Sequence, residues 1–275
     1  MMQKKIRIAI VGADGRMGRQ LIKAVIQTPE IILGAAIVKK NSSLIGCDIG
    51  DLIGYAKSGI TITDNINQIV SDFDTLIDFT HPAGTLKYLN FCYKNKKAMI
   101  IGTTGFDHKE LEIFKSAAKE IAIVHSANFS IGANIILKLA EKVTKIIGEH
   151  ADIDILEKHH REKIDSPSGT ALEIGKTIAK VMNWDFSQHI ISSTDQLITP
   201  RLRKKIHFTA LRYGDIVGEH KIIFSDIGEC IEINHKVSNR LAFAQGALKA
   251  ALWLRNNKYK SGYFNMIDVL NLSNI

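Results

Sequence analysis

Lys5-Ile6-Arg7-Ile8-Ala9-Ile10-Val11-Gly12-Ala13-Asp14-Gly15-Arg16-Met17-Gly18 decides the fold. The β-branched run from Ile6 to Val11 predicts a strand that stops at Gly12. A helical pattern through Leu21, Ile22, Val25 and Ile26 follows and is closed by Thr28-Pro29. Strand, glycine turn and helix in that order form the context of a dinucleotide fingerprint. The glycines fall as GxxGxxG rather than the commoner GxGxxG. Gly12 permits the tight turn, Gly15 lets backbone approach a pyrophosphate, and Gly18 lets helix touch strand. The alternative is a βα turn that binds nothing.

Working outward, residues 31–38 predict the next strand. An NAD-selective site carries an acidic residue at its end, about 20 residues past the glycines, to hold the ribose hydroxyls. Here the sequence reads Val38-Lys39-Lys40. Two cations without an acid suit a 2′-phosphate, so NADPH is expected ahead of NADH, with use of both allowed. The alternative is a pair of solvated loop charges. Residues 74–79, 98–101 and 121–124 predict further strands, with helices over 84–93 and 108–119 between them. These strands end at Thr80-His81-Pro82, Gly102-Thr103-Thr104-Gly105 and Ser126-Ala127-Asn128-Phe129. Alternation of this kind builds right-handed βαβ units and a parallel sheet. Ligands then sit at the carboxyl ends of the strands, where Gly12, Thr80, Gly102 and Asn128 all fall.

The second half changes character. A helix is predicted over 132–147 and a strand over 152–158, which delivers His159-His160-Arg161-Glu162-Lys163 and then Ser166-Pro167-Ser168-Gly169-Thr170. A helix over 170–182 follows. Backbone N–H groups from Gly169 onward make an anion site at its N-terminus, with charge from Arg161 and Lys163. The imidazoles can move a proton near neutral pH. A polar surface loop is the alternative. Residues 187–205 are polar and irregular and predict a flexible loop. Strands are expected over 206–212, 216–224 and 229–235 without intervening helices, with Asp226-Ile227-Gly228 as a hairpin turn. The closing helix, 240–255, carries an apolar stripe (Leu241, Phe243, Ala244, Leu248, Leu252, Trp253) that suits a core. The fold class is therefore α/β, a Rossmann-type doubly wound parallel sheet, plus an α+β domain with an open mixed sheet.

With 275 residues, 45% of them hydrophobic, the chain can bury two cores. A charged fraction of 23% and a mean hydropathy of +0.03 are those of a globular protein. No apolar run approaches the ~20 residues that span a bilayer, and no signal peptide is apparent, so no membrane partner and a cytoplasmic location are expected. Cys47, Cys92 and Cys230 lack disulfide or zinc spacing and predict reduced thiols and no metal. The net charge of +8 raises nucleic acid as a partner. The lysines are spread along the chain and no aromatic residues alternate with them, which argues against it. Steering of an acidic small molecule remains.

The residues also carry a resemblance. Val11-Gly12-Ala13-Asp14-Gly15-Arg16-Met17-Gly18, Asp78-Phe79-Thr80, Gly102-Thr103-Thr104-Gly105-Phe106 and Ala127-Asn128-Phe129-Ser130 resemble the 4-hydroxy-tetrahydrodipicolinate reductase (dihydrodipicolinate reductase) family. So do the longer motifs Glu157-Lys158-His159-His160-Arg161-Glu162-Lys163-Ile164-Asp165-Ser166-Pro167-Ser168-Gly169-Thr170-Ala171 and Gly214-Asp215-Ile216-Val217-Gly218-Glu219-His220. The resemblance spans essentially the whole chain. It implies NAD(P)H-dependent reduction of a cyclic dicarboxylate in diaminopimelate and lysine biosynthesis. It also implies a dinucleotide domain over 1–130 and 240–275, a substrate and tetramerisation domain over 131–239, hinges near Ser130 and Arg240, and a homotetramer. His159 and Lys163 become the proton-handling pair. Lys163 is expected to donate, with His159 positioning or sharing the proton. His160, Lys163, Ser168, Gly169 and Thr170 become the dicarboxylate cradle. Gly12, Arg16, Met17, Val38, Lys39, Gly102, Thr103, Thr104, Ala127, Asn128 and Phe129 are the expected cofactor residues.

Three departures stand out. Val38 replaces an acid, Glu162 adds a negative charge to the basic cluster, and residues 194–205 lack the Gly-rich, Arg-containing loop expected there, with Arg203 as the substitute contact. Two other readings compete: a non-catalytic nucleotide sensor, and another two-domain oxidoreductase such as an amino-acid dehydrogenase.

Overall fold

The computed structural model describes residues 5–192 and 200–274, which divide into two compact units. One comprises residues 5–131 with Leu241–Asn274, the other Gly132–Arg240.

The first unit opens with β1 (Ile6–Val11), α1 (Arg16–Ile26), β2 (Ile31–Ile37), α2 (Ile49–Ile53), β3 (Ile62–Thr63), β4 (Thr75–Asp78), α3 (Pro82–Lys94), β5 (Ala98–Ile101), α4 (His108–Ala117) and β6 (Ala122–His125). The second holds α5 (Ile131–Ile147), β7 (Asp152–His159), α6 (Gly169–Val181), α7 (Phe186–His189), β8 (Ile190–Ser192), β9 (Ile206–Arg212), β10 (Gly218–Asp226) and β11 (Glu229–Val237). The chain then returns to the first unit through α8 (Leu241–Asn256), β12 (Gly262–Phe264) and α9 (Met266–Val269).

The first sheet runs β12-β6-β5-β4-β1-β2-β3 with every pairing parallel. Helices cover both faces, so its strands are apolar on both sides. Along β1, Ile6, Ile8 and Ile10 join one core and Ala9 and Val11 the other, the period of two expected of a strand. The direction of winding reverses between β1 and β4, which leaves a crevice at their carboxyl ends. Gly12 occupies the turn there with φ +65°. A Cβ on Gly18 would stand 2.1 Å from the Gly12 carbonyl oxygen, so α1 approaches β1 this closely only through glycine.

The second sheet runs β11-β10-β7-β9-β8. β7 is parallel to β9 and antiparallel to β10, and β10 pairs antiparallel with β11. This is the mixed sheet expected. The hairpin closes through Ile227-Gly228, with Gly228 at φ +84°. Exposure alternates strictly along β7. Ile153 and Ile155 face the core beneath α5 and α6, and the same alternation buries Glu157 and His159.

The loop expected over 187–205 is corrected in its first part. Asp185 caps α7, and β8 lies parallel to β9 with Ile190 opposite Ile206. Residues 193–199 of that segment lie outside the described residues. β12 was not anticipated from Gly262-Tyr263-Phe264, because three residues carry no periodicity. It extends the first sheet beyond β6.

Candidate active site

Glu157 is the centre of the second unit's polar cluster. It is 1% exposed at its side chain and sits on the apolar face of β7, where an unpaired carboxylate would be costly. Four donors meet its two oxygens. His159 Nδ1 lies 2.5 Å from Oε2 and Arg212 Nη1 donates to the same oxygen at 2.8 Å. Arg212 Nη2 donates to Oε1 at 2.6 Å and the Ser168 amide at 3.1 Å. The Arg212 contact is the bidentate fork that suits a carboxylate. Burial pushes the Glu157 carboxyl upward, but the His159 and Arg212 contacts outweigh it and hold the group at about 2. Arg212 reaches it because β9 runs parallel to β7 in a register that puts His159 opposite Arg212.

The loop after β7 turns on bonds from Lys163 N to the His160 carbonyl and Arg161 N to Gly214 O. Lys163 Nζ is paired with Asp165 at 2.8 and 2.9 Å, and Arg212 Nη2 also donates to the Asp165 carbonyl. The lysine pair draws the Asp165 carboxyl below its ordinary range. Glu162 is exposed and forms no ion pair among the described residues, so the salt bridge of this cluster belongs to Asp165. Ser168 caps α6 by accepting from the Ala171 amide, and its Oγ lies 3.0 Å from His220 Nε2. Ser168 is therefore already committed through both amide and hydroxyl. Gly169 is exposed at the first position of α6, and a Cβ there would meet nothing within 4 Å. His160 is half-buried and Thr170 lies in the same helical turn.

His220, on β10, crosses the His159 ring edge-on at 5.2 Å between centroids. Burial above all, with help from the neighbouring His159 charge, pulls its imidazole down to about 4.

In the first unit a cleft of about 740 Å³ opens at the carboxyl ends of β1, β2 and β4. Its lining includes Val11, Gly12, Asp14, Val38, Lys39 and Lys40, together with Asp64, Ile66, Thr80, His81, Lys87 and Tyr88. Gly12, Val38 and Lys39 of the expected cofactor residues are thus brought together. Arg16 is exposed at the start of α1, and Met17 packs on the core. Gly102 stands against the Phe79 ring, which a Cβ would meet at 2.1 Å. Thr103 is buried, its hydroxyl 3.0 Å from that of Thr85. Thr104 and Ala127 are exposed, and the Asn128 carboxamide oxygen accepts from the Ser130 amide. Phe129 is a core residue whose ring meets Phe79 at 5.3 Å. Gly102, Thr103 and Phe129 thus pack just beyond the carboxyl ends of β5 and β6. A glycine turn, two lysines and an apolar floor fit the phosphates and adenosine of a dinucleotide. Among the described residues no cluster of metal-ligating side chains occurs.

Glu157, Arg212, Asp165 and His220 are functional-site residues that the sequence alone does not single out. The signal for Glu157 was present, since it falls two residues before His159 and two after Ile155 on one strand face. Arg212 carried none, because its neighbour lies 55 residues away across a strand pairing.

Comparison with known proteins gives a consistent result. Residues 6–129 match the family model described as dihydrodipicolinate reductase, N-terminus, and residues 132–270 that described as dihydrodipicolinate reductase, C-terminus. The chain is 51% identical over 271 residues to 4-hydroxy-tetrahydrodipicolinate reductase of Buchnera aphidicola subsp. Acyrthosiphon pisum (strain Tuc7), covering 98% of this chain and all of that one. A dipicolinate-bound dihydrodipicolinate reductase from Paenisporosarcina sp. TG-14 superposes with a TM-score of 0.75 at 23% identity, over 96% of this chain and 98% of that one. An engineered D-amino acid dehydrogenase bound to NADP+ gives a TM-score of 0.55 at 13% identity, over 96% and 94% of the chains, so the wider fold is shared with amino-acid dehydrogenases.

Proposed function

We propose, for a chain that belongs to the dihydrodipicolinate reductase family, that Lys163 and His159 manage the proton of the reaction and that the start of α6 grips its substrate. The chain is an oxidoreductase of diaminopimelate and lysine biosynthesis that reduces 4-hydroxy-tetrahydrodipicolinate to tetrahydrodipicolinate. The substrate is a small dicarboxylate. A nicotinamide coenzyme supplies the hydride when bound.

Hydride arriving at a ring carbon leaves negative charge that a proton must neutralise. Lys163 is the donor in this reading, its Nζ held 2.8 Å from the Asp165 carboxylate. His159 shares the proton through the ring nitrogen that Glu157 does not occupy. His160, Ser168, Gly169 and Thr170 cradle the carboxylates, with the N-terminal turn of α6, exposed at Gly169, supplying backbone donors and Ser168 setting that turn. The observation that carries the reading is the buried Glu157–His159 pair, which places a held imidazole at the head of a cationic loop that opens onto a helix N-terminus.

For the coenzyme, Gly12, Arg16, Met17, Val38, Lys39, Gly102, Thr103, Thr104, Ala127, Asn128 and Phe129 form the proposed site. NADPH is proposed ahead of NADH because Lys39 and Lys40 line the cleft where an acid would bind ribose hydroxyls. A homotetramer in the cytoplasm completes the reading. The support for assembly is β11, an edge strand with most of its residues exposed.

The test is the loss of NADPH and NADH absorbance with the condensation product of pyruvate and aspartate semialdehyde generated in situ. Product-dependent oxidation, faster with NADPH, is expected. Binding without turnover would favour the sensor, and faster oxidation of NADH would overturn the lysine assignment.

A further inference from the structure

We propose that Glu157 is the positioning residue of the proton-handling imidazole: clamped by Arg212 and the Ser168 amide, it fixes His159 with a proton on Nδ1 and leaves Nε2 as the nitrogen that exchanges protons. The inference rests on the assignment of His159 given above and extends it to the residues behind the ring.

An ionised carboxylate only accepts hydrogen bonds. His159 Nδ1 at 2.5 Å from Glu157 Oε2 must therefore be the donor, which selects one neutral tautomer. The carboxylate cannot turn away, because both oxygens also carry Arg212 and Oε1 carries Ser168. The ring is held in orientation as well as in tautomer. Its Nε2 lies over Gly218, where a Cβ would stand 3.1 Å away, so glycine keeps that nitrogen clear on the β10 side. Every charged or titratable neighbour is consistent with this. Arg212 from β9 is occupied by the carboxylate, and Lys163 from the following loop is paired with Asp165. His220 from β10 bonds to Ser168 rather than to Glu157, and its ring meets His159 only edge-on. His235 on β11 pairs opposite His220, one strand further from β7.

Nitrogen-15 spectra of the histidine rings in the wild-type enzyme read the tautomer without any substitution. His159, assigned by its loss in His159→Gln, is expected to show a protonated Nδ1 and an unprotonated Nε2 when neutral. The opposite tautomer would overturn the proposal.

Kinetics supply the second arm. Glu157→Gln is expected to lower kcat by about 100-fold, with KM changed by less than about threefold. Glu157→Asp, which keeps the charge opposite Arg212, is expected to recover part of the loss. In the His159→Gln background the Glu157→Gln change is expected to cost almost nothing more, since it acts through the missing ring. If the two losses instead multiply, Glu157 does not act through His159 and the proposal fails while His159 keeps its role. If His159→Gln alone turns over at the wild-type rate, the His159 assignment falls first and this one with it.

Discussion

The cleft of the first unit and the polar cluster of the second offer a site for an anion by opposite means. In the cleft, backbone does the work: Gly12 opens the turn at φ +65°, Gly18 lets α1 close on β1, and Lys39 and Lys40 add charge from an exposed loop. In the cluster, side chains do it, and the decisive ones are hidden. Glu157 and His159 occupy the core face of β7, and Arg212 crosses from β9 to bond the Glu157 carboxylate. A site of the first kind tolerates change in its side chains because its geometry is in the chain path. A site of the second kind fails together, since each buried charge depends on the others.

Substitutions can break this contrast in graded order. Lys163→Ala is expected to lower turnover by about 10³-fold while the coenzyme dissociation constant changes by less than about twofold. Near-normal turnover, measured by coenzyme oxidation, would remove Lys163 from the proton step. Arg212→Met leaves Glu157 buried without its cation and is expected to cost about 3–5 kcal/mol of stability, read from thermal or urea unfolding. A loss below about 1 kcal/mol would mean that the cluster relaxes as the cleft does.

Acid provides a third probe, with its sign set by two groups. His220 is held neutral at about 4, below its ordinary 6.5, so the unfolded chain takes up the proton first. Its contribution is present above pH 6.5 and lost as pH falls toward 4. Glu157 is held ionised at about 2, below its ordinary 4.5, so its contribution is present above 4.5 and lost as pH falls toward 2. Each shift is worth up to about 3 kcal/mol. Unfolding free energy is expected to decline in two stages below neutrality, and His220→Gln should flatten the upper stage alone. A decline that His220→Gln leaves unchanged would assign it elsewhere. The smallest effect is expected in the cleft. Lys39→Ala together with Lys40→Ala should weaken NADPH about tenfold, leave NADH nearly unchanged and barely alter stability. Equal weakening of both coenzymes would contradict a 2′-phosphate contact.

The same contrast explains what could be read from the sequence. The first sheet was legible because its signals are local. A β-branched run, a glycine turn and a helical stripe sit within 20 or so residues of each other, and the carboxyl ends of parallel strands share one side by topology. The hairpin at Ile227-Gly228 was legible for the same reason. The histidine cluster was visible as chemistry: His159 ends β7 and Lys163 lies on the loop that follows. What escaped was the support. Arg212 meets Glu157 only through the parallel register of β7 and β9, and His220 arrives on an antiparallel strand. No local pattern encodes those pairings. Gly102, Thr103 and Phe129, which the resemblance assigned to the coenzyme, also have packing roles that no local pattern encodes: Gly102 and the Phe129 ring lie against Phe79, and the Thr103 hydroxyl meets that of Thr85.

The most direct measurement sets coenzyme affinity and turnover side by side in two proteins, Lys163→Ala and the Lys39→Ala, Lys40→Ala pair, with NADPH fluorescence for the first quantity and its oxidation for the second. The account predicts a crossed result: the Lys163 variant keeps its affinity and loses turnover, and the double variant loses NADPH affinity while saturating NADPH restores its rate. Parallel losses of affinity and turnover in both proteins would contradict the division of labour between cleft and cluster.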